Sequence, residues 1–150
     1  MSVNISIIHG PNLNMLGKRE KNIYGNLSLE EINQGLSAKF ANQTKLDFFQ
    51  SNSEGEIIDY IHSLQARKIH AIVINAASLT HTSVGIRDAL LSVSIPFVEV
   101  HISNVYKRED FRRISYLSDC AAGVITGLGP NVYQYAVDYF IENQAILQKT

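Results

Sequence analysis

Short apolar runs alternate with longer amphipathic stretches along the whole chain, and this alternation predicts five strands separated by helices. Two of the runs, residues 3–9 and 69–75, have the character of buried strands. The other three predicted strands cover residues 46–50, 97–102 and 121–126. No repeat, low-complexity segment or linker interrupts this order.

Capping residues mark where the predicted helices begin. Ser28 and Ser53 each precede a glutamate by three residues, the capping-box pattern, and predict helices that run to about residues 42 and 67. Thr82 or Ser83 caps the next helix. Pro130 fits the start of a last helix that runs to about residue 147.

Strands that alternate with helices favour an α/β fold, in which helices cover both faces of a parallel sheet. Five strands in such a fold favour a flavodoxin-like, three-layer arrangement with the strand order 2-1-3-4-5. The length of 150 residues suits one domain, so residues 1–150 are expected to form a single domain.

The composition limits the cellular compartments and the binding partners that suit this protein. The net charge of −1 gives no basic face for a nucleic acid or a membrane surface. The N-terminus turns polar at His9 and lacks a signal-peptide pattern, and no apolar run approaches the roughly 20 residues of a membrane span. The single cysteine, Cys120, suits a reducing compartment. We therefore expect a cytoplasmic protein with neither nucleic acid nor membrane as a partner.

Polar side chains follow the predicted strands, where parallel sheets of this kind bind their ligands. Ordinary polar connectors would explain any one of these residues equally well. The amide, hydroxyl and imidazole groups concerned belong to His9, Asn12, Asn14, Gln50, Asn52, Asn75, Ser78, Thr80, His81, Ser103 and Asn104.

Glu99 and His101 lie two residues apart in the fourth predicted strand, so they share one face of it. A strand buried on both faces should be almost wholly apolar, which makes this pair unusual. A carboxylate can set the tautomer and basicity of a histidine that acts as a general acid. A structural pair near the strand end is the alternative.

Two polar segments carry further candidates. Arg19 and Tyr24 lie between Gly17 and Gly25, where a mobile lid would allow the arginine to favour a tyrosinate. A solvated loop also fits. Residues 104–115 predict a loop with a short helical turn, and they carry four cations that fit either a solvated basic face or an anion site. Arg112 is the favoured functional member among Lys107, Arg108, Arg112 and Arg113.

Longer blocks resemble the type II 3-dehydroquinate dehydratases over nearly the whole chain. The matching blocks are GPNLNMLGKR (10–19) with YG (24–25), QSNSEG (50–55), THTSVGIRDAL (80–90), EVHISN (99–104), REDFR (108–112) and GVITGLG (123–129). The resemblance implies a hydro-lyase, without metal or cofactor, that converts 3-dehydroquinate to 3-dehydroshikimate through an enolate. It also implies a trimer-based dodecamer, and a place in the shikimate pathway of aromatic amino-acid biosynthesis or in quinate catabolism.

The resemblance also assigns roles. Tyr24 is the base that takes the C2 proton, and Arg19 keeps it anionic. His101 protonates the departing C1 hydroxyl and Glu99 orients it, while Asn12 stabilises the enolate. The substrate-binding positions are Asn75, His81, Ile102, Ser103 and Arg112, together with Asp88, which reaches the site of a neighbouring subunit.

Some positions depart from the family pattern. Residues 76–79 read Ala-Ala-Ser-Leu where many members have Pro-Gly-Ala-Tyr. Lys21 replaces a frequent proline and Gly85 a common alanine. None of these changes removes a group with a named role.

Two other functions fit parts of the sequence. Thr80, Thr82 and Ser83 at a helix start would suit the phosphate of a flavin in an electron carrier. A metal hydrolase would use His9, His81, Glu99 and His101, although these lack a compact ligand spacing.

Overall fold

The computed structural model describes residues 3–18 and 20–147. Five parallel strands form one sheet in the order β2-β1-β3-β4-β5. This order confirms the predicted α/β, flavodoxin-like fold. The strands are β1 (Val3–His9), β2 (Thr44–Gln50), β3 (Ala71–Asn75), β4 (Phe97–His101) and β5 (Gly123–Thr126).

Within the described residues, six α-helices connect or flank the strands. They are α1 (Lys21–Tyr24), α2 (Leu29–Lys39), α3 (Glu54–Ser63), α4 (Val84–Val93), α5 (Asn131–Glu142) and α6 (Gln144–Leu147).

The two faces of the sheet carry two different apolar layers, because successive side chains of a strand point to opposite faces. In β1, Ile5 and Ile7 join the core beneath α2 and α5, whereas Ile8 joins the core beneath α3 and α4.

The helix caps agree with the sequence pattern in part. Ser28 forms a complete capping box with Glu31. Ser53 accepts a hydrogen bond from the Glu56 backbone, but the Glu56 carboxylate binds the Ser51 hydroxyl at 2.5 Å instead of closing the box. The predicted capping box at Ser53 is therefore only half formed: the serine cap is present, but the glutamate side chain does not bind the Ser53 backbone N–H. Ser83, rather than Thr82, caps α4.

Several boundaries differ from the prediction because short turns interrupt the helical pattern. α2 and α3 end at Lys39 and Ser63, a few residues earlier than expected, and a break at Asn143 separates α6 from α5. The predicted lid loop contains α1, and the basic loop contains two 3₁₀ turns, Val105–Lys107 and Asp110–Arg113.

In the part of the chain that the structure describes, no helix is long and apolar enough to cross a membrane.

Candidate active site

An open cleft lies at the carboxyl ends of β1, β3 and β4. Gly10 allows the loops after β1 and β3 to meet there, because a Cβ at Gly10 would lie 2.4 Å from the Ala76 carbonyl oxygen. The cleft brings together eight predicted site residues: Asn12, Tyr24, Asn75, His81, His101, Ile102, Ser103 and Arg112.

Glu99 and His101 form a buried pair in one wall of the cleft, with exposed fractions of 1% and 6%. The Nε2–H of His101 donates to Glu99 Oε2 at 2.5 Å. The other carboxylate oxygen accepts from the hydroxyls of Ser115 at 2.9 Å and Ser118 at 2.8 Å. The carboxylate thus has three donors, which fix its position and, through it, the His101 ring.

The same contacts determine the charge of Glu99. Burial raises the pKa of this carboxyl, but the His101 hydrogen bond, the charge of His101 and the two serine hydroxyls outweigh burial. The pKa of Glu99 therefore lies below its ordinary value, and the group is a carboxylate at neutral pH.

His81 lies beside His101, with ring centroids 6.3 Å apart and planes 18° from parallel. Its Nδ1–H donates to the Ile114 carbonyl oxygen at 2.7 Å, so Nδ1 carries the hydrogen. Burial lowers the pKa of His81, and the charges of His101 and Arg112 add to this effect. His81 is therefore neutral at pH 7, and its Nε2 presents a lone pair.

Tyr24, the last residue of α1, also lines the cleft and meets a cation that comes from the basic loop. Arg108 Nη1 donates to the Tyr24 hydroxyl at 2.8 Å and to the Ser103 hydroxyl at 3.2 Å. The guanidinium carbon of Arg108 also lies 5.3 Å from the centroid of the Tyr24 ring. This contact places a guanidinium charge directly on the Tyr24 hydroxyl.

Two amide side chains line the cleft between these groups. Asn12 has a left-handed backbone with φ of 70°, and its N–H donates to Asn52 Oδ1 at 2.9 Å. Asn75 is held at both ends: its Nδ2 donates to the Tyr133 hydroxyl at 3.0 Å, and its Oδ1 accepts from the Ala77 N–H at 3.2 Å.

Arg112 lines the cleft, but Glu109 already engages its guanidinium. Its Nε donates to Glu109 Oε1 at 2.9 Å and its Nη2 to Oε2 at 3.4 Å. These bonds lower the pKa of Glu109 to about 2. Glu109 uses only two of the five N–H donors of this guanidinium, so an incoming carboxylate could either share Arg112 with Glu109 or displace it.

Within residues 3–18 and 20–147, no group of three histidine, cysteine, aspartate or glutamate side chains could hold a metal ion. His9, one of the four proposed ligands, is fully buried and both of its ring nitrogens are hydrogen-bonded. The flavin alternative also loses support, because the Ser83 hydroxyl donates to the Glu54 carboxylate, which would repel a phosphate.

Comparison with known proteins establishes the family. A family model described as "Dehydroquinase class II" matches residues 3–141. The chain belongs to the class II dehydroquinase family. A relative named 3-dehydroquinate dehydratase, from Acinetobacter baumannii (strain AYE), is 60% identical over 144 residues, which cover 95% of each chain.

Two solved type II dehydroquinases share the fold. The enzyme from Butyrivibrio crossotus has a TM-score of 0.90 at 45% identity, over 92% of this chain and 97% of its own. The enzyme from Propionibacterium acnes has a TM-score of 0.89 at 34% identity, over 95% of this chain and 98% of its own. These comparisons confirm the predicted resemblance to the type II 3-dehydroquinate dehydratases. They also confirm the prediction that this protein is a hydro-lyase.

Two predicted members of the dehydroquinase site, Glu99 and Asp88, do not line the cleft directly, and a third is not described by the structure. Glu99 lies behind His101. Asp88 is exposed on α4 and does not line the cleft of its own chain. Arg19 lies outside the described residues.

Sequence reasoning missed three side chains that serve this dehydroquinase site. The sequence pattern places Arg108 in the basic loop and favours Arg112 there, although Arg108 begins one of the family-like blocks. Ser115 and Ser118 gave no signal at all, because isolated serines in a polar loop are common.

Proposed function

We propose that this cleft removes water from 3-dehydroquinate in two proton transfers and yields 3-dehydroshikimate. The observation that carries the proposal is one cleft lined by both a tyrosine whose hydroxyl binds a guanidinium and a histidine whose ring binds a carboxylate. Such an arrangement offers a base and an acid to opposite parts of one small ring.

The first transfer takes a proton from C2, next to the ketone. Tyr24 acts as the base, and Arg108 stabilises its phenolate through the 2.8 Å hydrogen bond. We also retain Arg19 in this role from the family resemblance. The C–H electron pair moves into an enolate, whose oxygen Asn12 stabilises as an uncharged donor.

The second transfer expels the C1 hydroxyl. His101 has Nε2 committed to Glu99, so Nδ1 is the nitrogen that gives a proton to the leaving oxygen. The enolate collapses to the conjugated enone as water departs. Glu99 stabilises the imidazolium before the transfer, and the proton held by Tyr24 returns to His101 through solvent.

The remaining groups suit a ring that carries a carboxylate and hydroxyls. Arg112 is proposed to bind the carboxylate, and Asn75, His81, Ile102 and Ser103 the rest of the ring. A neighbouring subunit is proposed to supply Asp88 within a trimer-based dodecamer. We propose that no metal or cofactor enters these steps. The enzyme is proposed to act in the cytoplasm, in aromatic amino-acid biosynthesis or in quinate catabolism.

The test follows the ultraviolet absorbance of the enone product when the protein meets 3-dehydroquinate. Tyr24→Phe and His101→Ala should each lower kcat by about 10²-fold or more, because each removes a proton-transfer group. Tyr139→Phe is the matched control, since Tyr139 is exposed on α5. Full turnover by folded Tyr24→Phe would require another base, and loss of turnover on chelation would contradict the metal-free steps.

A further inference from the structure

A chain of four polar side chains crosses the core beneath the cleft, and none of them carries a proposed proton transfer. His9 Nε2 lies 2.9 Å from Asn33 Oδ1, and His9 Nδ1 lies 3.1 Å from the Tyr133 hydroxyl. That hydroxyl in turn accepts from Asn75 Nδ2 at 3.0 Å. The chain therefore joins α2, β1, α5 and β3 and ends at a cleft residue.

The middle of this chain is wholly enclosed. His9 and Tyr133 have no exposed surface, and Asn75 is 3% exposed. Buried polar groups are tolerated when every member has a partner, and a complete network then fixes one arrangement. Burial lowers the pKa of His9 to about 4, so its ring is neutral at pH 7.

One backbone N–H group determines which atom donates and which accepts in each hydrogen bond among these four side chains. The Ala77 N–H can only donate, so it fixes Asn75 Oδ1 on its own side and turns Nδ2 towards Tyr133. The Tyr133 oxygen accepts from Nδ2 and must donate its own hydrogen to His9 Nδ1. His9 then carries its hydrogen on Nε2 and donates to Asn33.

We propose that His9 and Tyr133 are positioning residues that fix the amide of Asn75 in the cleft. The two anchored atoms of Asn75 leave one N–H hydrogen and one oxygen lone pair, which serve a hydroxyl of the bound ring acid. The proposal rests on the proposed function for its substrate. Without the Tyr133 hydroxyl, Asn75 keeps one anchor of two, and its amide rotates more freely.

The hydrogen order is tested first, on the unmodified protein and without substrate. Magic-angle-spinning NMR of ¹⁵N-histidine-labelled protein reports the tautomer of each ring, and His9→Asn identifies the His9 signals. The expected result is a neutral Nε2–H ring at pH 7. An Nδ1–H ring or an imidazolium at pH 7 would overturn the proposal, whether or not the protein dehydrates 3-dehydroquinate.

The effect on substrate is tested with Tyr133→Phe, which deletes only the hydroxyl. KM should rise about fivefold, the cost of one weakened hydrogen bond, while kcat changes by less than about twofold. Tyr60→Phe is the control, because it also deletes one tyrosine hydroxyl. That hydroxyl forms 2.8 Å hydrogen bonds with Ser6 and Asp47 and does not line the cleft. That control should lower the melting temperature without raising KM.

Two further variants separate positioning from simple loss of packing. His9→Asn keeps an acceptor near the Nδ1 position and should preserve KM better than His9→Leu. In an Asn75→Ala background, Tyr133→Phe should raise KM no further. An unchanged KM in Tyr133→Phe, with active wild-type enzyme, would refute the positioning role, whereas inactive wild-type enzyme would refute the proposed function.

Discussion

Acid should unfold this protein largely through one buried histidine. His9 is fully buried, and burial lowers its pKa from 6.5 to about 4, while the Asn33 hydrogen bond only partly offsets the effect. In the unfolded chain this ring takes up a proton near pH 6.5. In the folded protein the same ring stays neutral until the pH approaches 4.

The pKa difference sets the sign and the size of the effect. Between pH 6.5 and about 4 the unfolded state binds one more proton at His9, so stability falls as the pH falls. The contribution of the neutral ring is complete above pH 6.5. Its loss amounts to about 3 kcal/mol by pH 4, a large fraction of the 5–15 kcal/mol that typically stabilises a domain.

Urea unfolding, followed by circular dichroism from pH 7.5 to 4.5, measures this loss in the wild type and in His9→Asn. The wild type should lose about 2 to 3 kcal/mol more than the variant over this range. Carboxylates with a lowered pKa, such as Glu99 and Glu109, also stabilise the folded protein. Their contribution is lost at still lower pH, and to the same extent in both proteins. Parallel curves for the two proteins would refute the assignment to His9.

Three substitutions test other parts of the structure. Arg108→Gln should lower kcat about tenfold or more in the enone assay, because it removes a charged hydrogen bond from Tyr24, whereas Arg113→Gln should not. Glu99→Gln should lower kcat about a hundredfold with the fold intact by circular dichroism, since an amide cannot stabilise the imidazolium. Ala77→Gly should raise the unfolding free energy by about 0.5–1 kcal/mol in urea, because φ of 53° strains alanine; a decrease would contradict this.

The sequence predicted the fold well because the relevant signals are local. The apolar run of β1 gave its bounds without error, and the capping box at Ser28 gave the start of α2. The cleft at the strand ends followed from the fold class alone. Glu99 and His101 were identifiable because a charged pair in a doubly buried strand contradicts the expected apolar pattern.

What the sequence did not predict depends on contacts between distant segments. Arg108 and Tyr24 are 84 residues apart, and the basic loop gave no reason to prefer Arg108 over Arg112. His9 and Tyr133 are 124 residues apart, and the sequence, which marks His9 only as a polar strand-end group or a metal ligand, gives no reason to pair the two. The four residues of α1 are too few to show a helical period.

The two proposed proton-transfer groups belong to different kinds of structure: His101 lies on a buried strand, and Tyr24 lies in a loop segment. Glu99 and His101 belong to a buried strand whose carboxylate already has three donors, so the acid is organised before any ligand arrives. Tyr24 belongs to a one-turn helix between Glu20 and Gly25, both with positive φ, and its cation comes from a separate loop. The proposed base therefore draws on two loops, because the Arg108 cation comes from the basic loop and Arg19, by the family resemblance, from the loop of Tyr24 itself. We expect such a base to be completed after substrate has entered, when loop closure would exclude water and an enolate can form.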